Sequence, residues 1–445
     1  MGAPIREQLS MREGKNSFSE WQKRAKEDPE NLADHFLGKY ELLPLESQRA
    51  FIASHPERES MVQGIKAACA DPDAPLAGVP YMLQDMFDVN GLPTRCGSPF
   101  QDPFDPPLED ASLLYQKLKS IGAAMIAKTV PSEFGFDMRG RNPSFGDCPH
   151  GDGVRFVIGG GAGTCAHAVK KQWVPLAFGL DSCAGVRIPA AFHGLFGFRM
   201  SNNAYAREGV FPIIPSIDSV GWMTSTAEDL ITSIEAFYPK PKLIEKVEPL
   251  NGYLLEDPSI QIDPEVKTGV MNLVHHLDLD EQPDTNKALC KAFKSSGEAL
   301  TTIQGRELYS LHQYWIEEYR SKYDSELLRL IDAGQICNAE KAERAAATHQ
   351  KIREAMVRFF TNHDYLIIPI SPTASPEKVD WCGPLENDLL RLNAPASLSF
   401  LPTMILPFNC GEEKHSAIQI IINPRKTHRC TEIIEQLFAF YRESM

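Results

Sequence analysis

No apolar run in this chain approaches 18 residues, so no segment reads as a membrane-spanning helix. Bases are in deficit: 45 Lys and Arg stand against 59 Asp and Glu, a formal charge of −14. That balance removes the basic footprint nucleic acid requires and disfavours an anionic membrane surface. Small molecules and other proteins remain as partners. The ten cysteines, scattered from Cys69 to Cys430, have no framework spacing, and the charged N-terminus has no apolar h-region. A reducing, cytoplasmic setting with free thiols is therefore expected. Met1-Gly2-Ala3 opens like an acylation signal, but Arg6 stands where Ser or Thr is needed, so N-myristoylation is rejected. No linker divides the 445 residues, and with 43% hydrophobic residues the chain can build a sizeable core.

Residues 1–17 are polar, and Ser19 to Cys69 is helical in character, with Trp21, Ala25, Leu32, Phe36, Leu37, Phe51 and Ile52 on its apolar positions. Pro72 to Pro75 is the hinge into the core. Val79–Leu83 reads as a buried strand, Asp110 as the cap of a helix over 111–121 ended by Gly122, and Ala123–Ala127 as the next strand. Helix and strand alternating in this way build an α/β sheet covered on both sides. Pro239 to Asp284 is rich in proline and charge, and long helical runs follow over Tyr309–Leu330 and Ala339–Phe360. The aromatics Tyr309, Tyr314, Trp315 and Tyr319 fit helical spacing only in part and are read as core packing. Tyr365–Ile370, Met404–Leu406 and Ala417–Ile422 are apolar strands. Thr431 opens an amphipathic helix that turns Ile433, Ile434, Leu437, Phe438 and Tyr441 inward.

The stretch Phe156 to Met200 carries the chemistry. Gly159-Gly160-Gly161-Ala162-Gly163 forms a glycine loop, a helix and the strand Val174–Leu180 follow, and a second tight loop runs from Asp181 to Gly185 before Arg187-Ile188-Pro189. Two small-residue loops bring backbone N–H groups to one place, which is how glycine builds an oxygen-binding pocket. These residues resemble the amidase signature family, whose pattern is G-G-S-S-G-G-S followed by D-x-G-G-S-I-R-x-P. The resemblance extends upstream to Gly78-Val79-Pro80 and Asp85. Downstream it takes in Glu208-Gly209-Val210, Pro212, Asp218, Gly221, Pro369 to Pro376 and Leu401 to Pro407. It covers about residues 75 to 440 and implies one large mixed β-sheet sandwiched by helices. Residues 1–74 would then be a helical extension, 75–445 the core, and about 240–360 a variable helical wall that selects the ligand.

The family's mechanism uses a buried neutral lysine as base, a relay serine and a nucleophilic serine beside an oxyanion site. Matched by position these fall on Gln84, Gly161 and Gly185. None of the three can do the work, since an amide is not a base near pH 7 and glycine has no hydroxyl. Losing one member of such a unit costs about 10⁴ in rate. Asp85, Asp181, Arg187 and Pro189 keep their places, so the resemblance implies a scaffold without its reactive groups. The expectation is a non-hydrolytic protein that binds an amide, acyl or carboxyl ligand or a protein partner, with Gln84, Gly160, Gly161, Ser182, Cys183, Ala184 and Gly185 lining the site. It leaves a homo-oligomer open. No cofactor and no metal are expected.

Other readings remain open. Ser182 or Cys183 would serve as a displaced nucleophile in a rewired amide hydrolase, with His150, His167 or His193 as neighbours, and a third reading is acyl transfer by proximity alone. Gly161-x-Gly163-x-x-Ala166 with Asp181 fits a relaxed dinucleotide fingerprint. Cys148/His150 and Cys165/His167 share a Cys-x-His spacing suggestive of zinc. Asp85 is read as a structural carboxylate.

Overall fold

The computed structural model describes residues 16–99, 109–240, 249–275, 277, 279–280 and 282–443. The acylation reading and the side chains of Phe438 and Tyr441 lie outside the described residues, as does most of the polar N-terminal segment.

Among the described residues eleven strands form one sheet: β1 (Ile52–Ser54), β2 (Pro80–Gln84), β3 (Ala124–Thr129), β4 (Leu176–Leu180), β5 (Phe196–Arg199), β6 (Val220–Thr224), β7 (Gly252–Leu254), β8 (Leu279–Asp280), β9 (Tyr365–Pro369), β10 (Thr403–Gly411) and β11 (Lys414–Ile422). Their order is β1-β3-β2-β4-β6-β5-β10-β11-β9-β7-β8. The sheet is mixed. β2 pairs in parallel with β3 and β4, and β7 with β8 and β9, whereas β4–β6–β5–β10–β11–β9 run antiparallel. Among the described residues no helix is long and apolar enough to cross a membrane.

Alternation along the central strands assigns side chains to two cores. Tyr81 and Leu83 of β2, and Leu176, Phe178 and Leu180 of β4, enter the larger core; Met82 and Ala177 enter the other. Burial on both faces is why these strands read as nearly continuous apolar runs. On its second face β4 carries only Ala177 and Gly179, because a Cβ at Gly179 would stand 2.6 Å from that of Ala162 and 3.0 Å from the side chain of Gln84. Small residues there let the glycine loop sit directly on the sheet.

Three elements differ from expectation. The helix after residue 110 is Leu113–Ser120, capped by Ser112, whose Oγ accepts from Tyr115 N at 3.3 Å. Ser112 is fully buried and its N–H is fixed on Asp88 O at 2.8 Å, which starts the helix at the later of two competent caps. The N-terminal stretch is not wholly helical, since Ile52–Ser54 pairs antiparallel with β3 and joins the extension to the sheet edge. The run over Tyr309–Leu330 divides into helices Ser296–Tyr319 and Ser325–Gln335. Tyr314 is exposed, while Trp315 packs on Phe134, Phe211 and His312.

Candidate functional site

Gln84, Gly161 and Gly185 meet where the ends of β2 and β4 face the glycine loop. Gln84 is fully buried; its Nε2 donates to Gly161 O at 2.8 Å and its Oε1 accepts from Leu180 N at 2.7 Å. Ala162 N donates to Gly185 O at 3.1 Å, tying one loop to the other. Gly161 and Gly185 let backbone meet backbone. A Cβ on Gly161 would fall well inside 3.0 Å of the Gly135 carbonyl, one on Gly185 would lie 2.6 Å from Leu180 O, and one on Gly160 would lie 2.6 Å from Gly185 O. The space between the three positions is therefore closed. Ala184 is buried at φ +63°, a left-handed conformation that L side chains adopt at a cost of about 1 kcal/mol or more.

The second loop is held by buried charge. Asp181 accepts from the N–H groups of Val186 and Arg187 and from the guanidinium groups of Arg187, at 2.9 Å, and Arg199, at 3.1 Å. Burial disfavours its charge, but the two arginines outweigh burial and hold its carboxyl below the usual value. Arg187 also donates to Asn393 O, Gln419 Oε1 and Ser397 Oγ, pinning the turn to distant elements.

The displaced-nucleophile residues are not activated. Ser182 Oγ donates to Asp218, whose carboxylate also accepts from Ile213 N and Ile214 N. Burial pushes Asp218 up to about 6. Burial, then the charges of Asp218 and Asp181, raise the Cys183 thiol far above its ordinary value, the opposite of what a nucleophilic thiolate needs. His150 and His193 stack on each other with ring centroids 3.8 Å apart, and each bonds a backbone carbonyl, Phe192 O and Pro189 O. His167 bonds Pro149 O at 2.8 Å.

Asp85 forms a buried ion pair with Lys128 at 2.5 Å and accepts from Arg95 N at 3.0 Å. It holds a loop, which agrees with the structural reading. Cys165 contacts Thr129 Oγ1 at 3.2 Å and donates to Phe178 O, and His150 and His167 are committed as above. Among the described residues no group of three or more His, Cys, Asp or Glu is placed to hold a metal. The dinucleotide pattern fails on context: the isolated bridges His150–Gly153 and Phe156–Glu377, and not a strand, lie immediately before the glycine loop.

Of the expected lining residues Cys183 faces an open cleft, a cavity of about 330 Å³ whose walls include Phe136, Met138, Gln304, Leu330 and Asn387. Gln84, Gly160, Gly161, Ser182, Ala184 and Gly185 are not among its lining residues. Sequence reading missed what shapes its mouth. Arg139 pairs with Glu326, and Arg141 reaches Asp137 at 3.0 Å and Glu326 at 3.3 Å, joining the glycine-loop approach to helix Ser325–Gln335. The same helix is fixed by Glu133, whose Oε2 accepts from Asp324 N at 2.6 Å and Oε1 from Ser98 Oγ at 3.0 Å. No local pattern announces a contact between residues 191 positions apart.

Burial without a paired cation pushes Glu133 up to about 7. Because the folded value lies above the ordinary carboxyl value of 4.5, its contribution to stability is complete below about pH 4.5 and lost as pH rises through about 7. His312, held down near 4 by burial, acts in the opposite sense below pH 6.5, so the comparison must isolate Glu133. Glu133→Gln should match the unmodified protein in urea unfolding at about pH 4 and exceed it by on the order of 2 kcal/mol at pH 8. Equal pH slopes in the two proteins would exclude this account.

Comparison with known proteins follows the same line. The Amidase family model matches residues 49–422. Outer envelope protein 64, chloroplastic, of Arabidopsis thaliana is 25% identical over 69% of this chain and 57% of its own length, so the chain spans little more than half of that relative. Amidase 1 of Oryza sativa subsp. japonica is 24% identical over 82% of this chain and 91% of its own length. A solved structure described as part of a vestigial protein complex bearing on the origins of an s-triazine catabolic enzyme superposes with a TM-score of 0.81 at 20% identity, over 96% of this chain and 98% of that one.

Proposed function

The chain belongs to the amidase family, and we propose that it is a member that binds a small neutral ligand in the Cys183 cleft without hydrolysing it. One observation carries this reading: Gln84 is wedged between the two glycine loops, with both ends of its amide bonded to their backbone. A group so committed neither takes a proton nor yields room for one that would. The residues beside it supply no substitute, because Ser182 is bonded to a carboxylate and the Cys183 thiol is held protonated. A cleft of about 330 Å³ lies within the range of small-molecule sites, and its paired charges favour a neutral amide or acyl compound over an ion. A cytoplasmic location is part of the same proposal.

An activity-based fluorophosphonate should leave every serine unlabelled, and iodoacetamide should alkylate Cys183 slowly with no step in rate between pH 6 and 9. A stoichiometric phosphonate adduct on Ser182, located by mass spectrometry, would overturn the reading. So would rapid alkylation of Cys183 that abolishes a measurable amide hydrolysis.

A second reading, a protein partner, is favoured by the solved relative taken from a protein complex. Size-exclusion chromatography with light scattering, alone and with a candidate partner, tests it.

A further inference from the structure

Helix Ser296–Tyr319 turns one side chain into the Cys183 cleft that differs from the rest of its wall. Gln304 is only 6% exposed, yet its amide has no hydrogen-bond partner among the described residues. Neither Oε1 nor Nε2 is shut in, so both atoms are accessible from the cleft that the residue lines. The position is also fixed. The next residue, Gly305, packs backbone to backbone against helix Ser325–Gln335, where a Cβ would lie 2.9 Å from Leu330 O.

The other polar groups of the wall are already engaged or lie in bulk water. Thr301 turns its hydroxyl back onto Gly297 O at 3.0 Å. Asp137 and Glu326 are paired with Arg139 and Arg141, Arg329 reaches Glu326 at 3.5 Å, and Glu386 accepts from Trp381 Nε1 at 3.2 Å. Asn387 is exposed at the mouth. The buried polar group left for a ligand is therefore neutral, and it is donor and acceptor at once.

That pairing selects a chemistry. The complement of a carboxamide is a group with an N–H and a C=O side by side on one edge. Esters, ketones and carboxylates offer acceptors alone, and ammonium groups donors alone. An open-chain secondary amide is trans and points its N–H and C=O to opposite sides. The volume of about 330 Å³ equals about eleven water shares of ~30 Å³ each, room for about ten heavy atoms. We propose that Gln304 sets the specificity of the cleft by reading a cis-amide edge. The ligand is then a small lactam, imide or primary carboxamide whose N–H donates to Gln304 Oε1 while its C=O accepts from Nε2. This deepens the non-hydrolytic binding reading and rests on it.

Three bicyclic compounds of one shape test the proposal by isothermal titration: dihydroquinolinone, its N-methyl derivative, and β-tetralone, in which a methylene replaces the N–H. The unmodified protein should bind the lactam at least tenfold tighter than either of the others, a comparison that needs no variant. Benzamide should likewise exceed N-methylbenzamide, whose amide is trans, and the tighter of lactam and benzamide tells ring from open chain. Gln304→Met, of similar volume, should bring the three bicycles within about threefold of one another, a loss of preference that a merely structural role would not produce. The lactam should also slow alkylation of Cys183 by iodoacetamide, which places it in the cleft. Equal binding of the three bicycles with Cys183 still protected would overturn the role of Gln304 and leave the binding reading standing. A tenfold preference that survives Gln304→Met would overturn it too. Ring-opening of the lactam, seen by mass spectrometry, would instead end the non-hydrolytic reading while the preference stood. Binding of none of these compounds at millimolar concentration would overturn both.

Discussion

A Gly161→Ser protein is expected to lose about 3 kcal/mol of stability and to gain no hydrolytic activity. The added Cβ would be driven into the Gly135 carbonyl and Cα, both backbone atoms of a turn that is itself fixed by Gly135 N donating to Ser132 O at 2.7 Å. A flexible side chain could swing away, whereas this turn cannot without breaking that bond. The cost therefore sits at the upper end of the ~1–3 kcal/mol range for overpacking. Gly185→Ser meets Leu180 O at 2.6 Å and should cost a similar amount. Gln84→Lys removes the acceptor of Leu180 N, leaving a buried donor orphaned. The triple variant Gln84→Lys, Gly161→Ser, Gly185→Ser thus combines two collisions with one lost acceptor, and turnover of aryl esters by it should not exceed that of the unmodified protein. Gly38→Ser is the control, since a Cβ there meets nothing within 4 Å and serine is the better helix former. Urea unfolding followed by circular dichroism separates the cases. A Gly161→Ser protein within 0.5 kcal/mol of the parent, or a triple variant that turns over aryl ester, would mean that the loops stand further apart than described.

That prediction reverses what the residues alone suggest, and the reason is physical. Replacing serine by glycine and lysine by glutamine reads as added volume only if the backbone stays where larger residues left it. Here the chain has closed over the difference, and glutamine, which both donates and accepts, bridges the loops as lysine would not. The loops themselves were legible, because clustered glycines mark close backbone approach, and so were the central strands, whose apolar runs are long enough to read. The strand order β4-β6-β5-β10 was not, since pairing partners such as Thr403 and Arg199 lie far apart in sequence. For the same reason Lys128 was missed as the partner of Asp85, and Glu133, Arg139 and Glu326 as the frame of the cleft. In each case a buried or half-buried charge finds its partner through the fold, and only the fold shows it.

The second large effect is expected at Asp181→Asn, which should cost about 3–5 kcal/mol, enough to leave little folded protein at 37 °C. Asp181, Arg187 and Arg199 are all completely buried, so the trio carries one net positive charge away from the protein surface. Burial already lowers Arg199 to about 10 despite the facing carboxylate. Neutralising Asp181 would leave two buried guanidinium groups facing each other, and breaking a buried pair by removing one partner is costly for that reason. The amide also presents an NH₂ where Val186 N and Arg187 N both donate to one carboxylate oxygen. Arg199→Met is the contrast. It removes the excess charge and leaves the Asp181–Arg187 pair balanced, at the expense of hydrogen bonds to the carbonyls of Leu401 and Met200, which keep Thr403 Oγ1 and Ser219 Oγ as donors, and to that of Ile217. Its cost should be the smaller by 2 kcal/mol or so. Thermal melts of the two variants at pH 7 decide the matter: an Asp181→Asn protein as stable as Arg199→Met would show that the trio is held by shape and hydrogen bonds rather than by its charge.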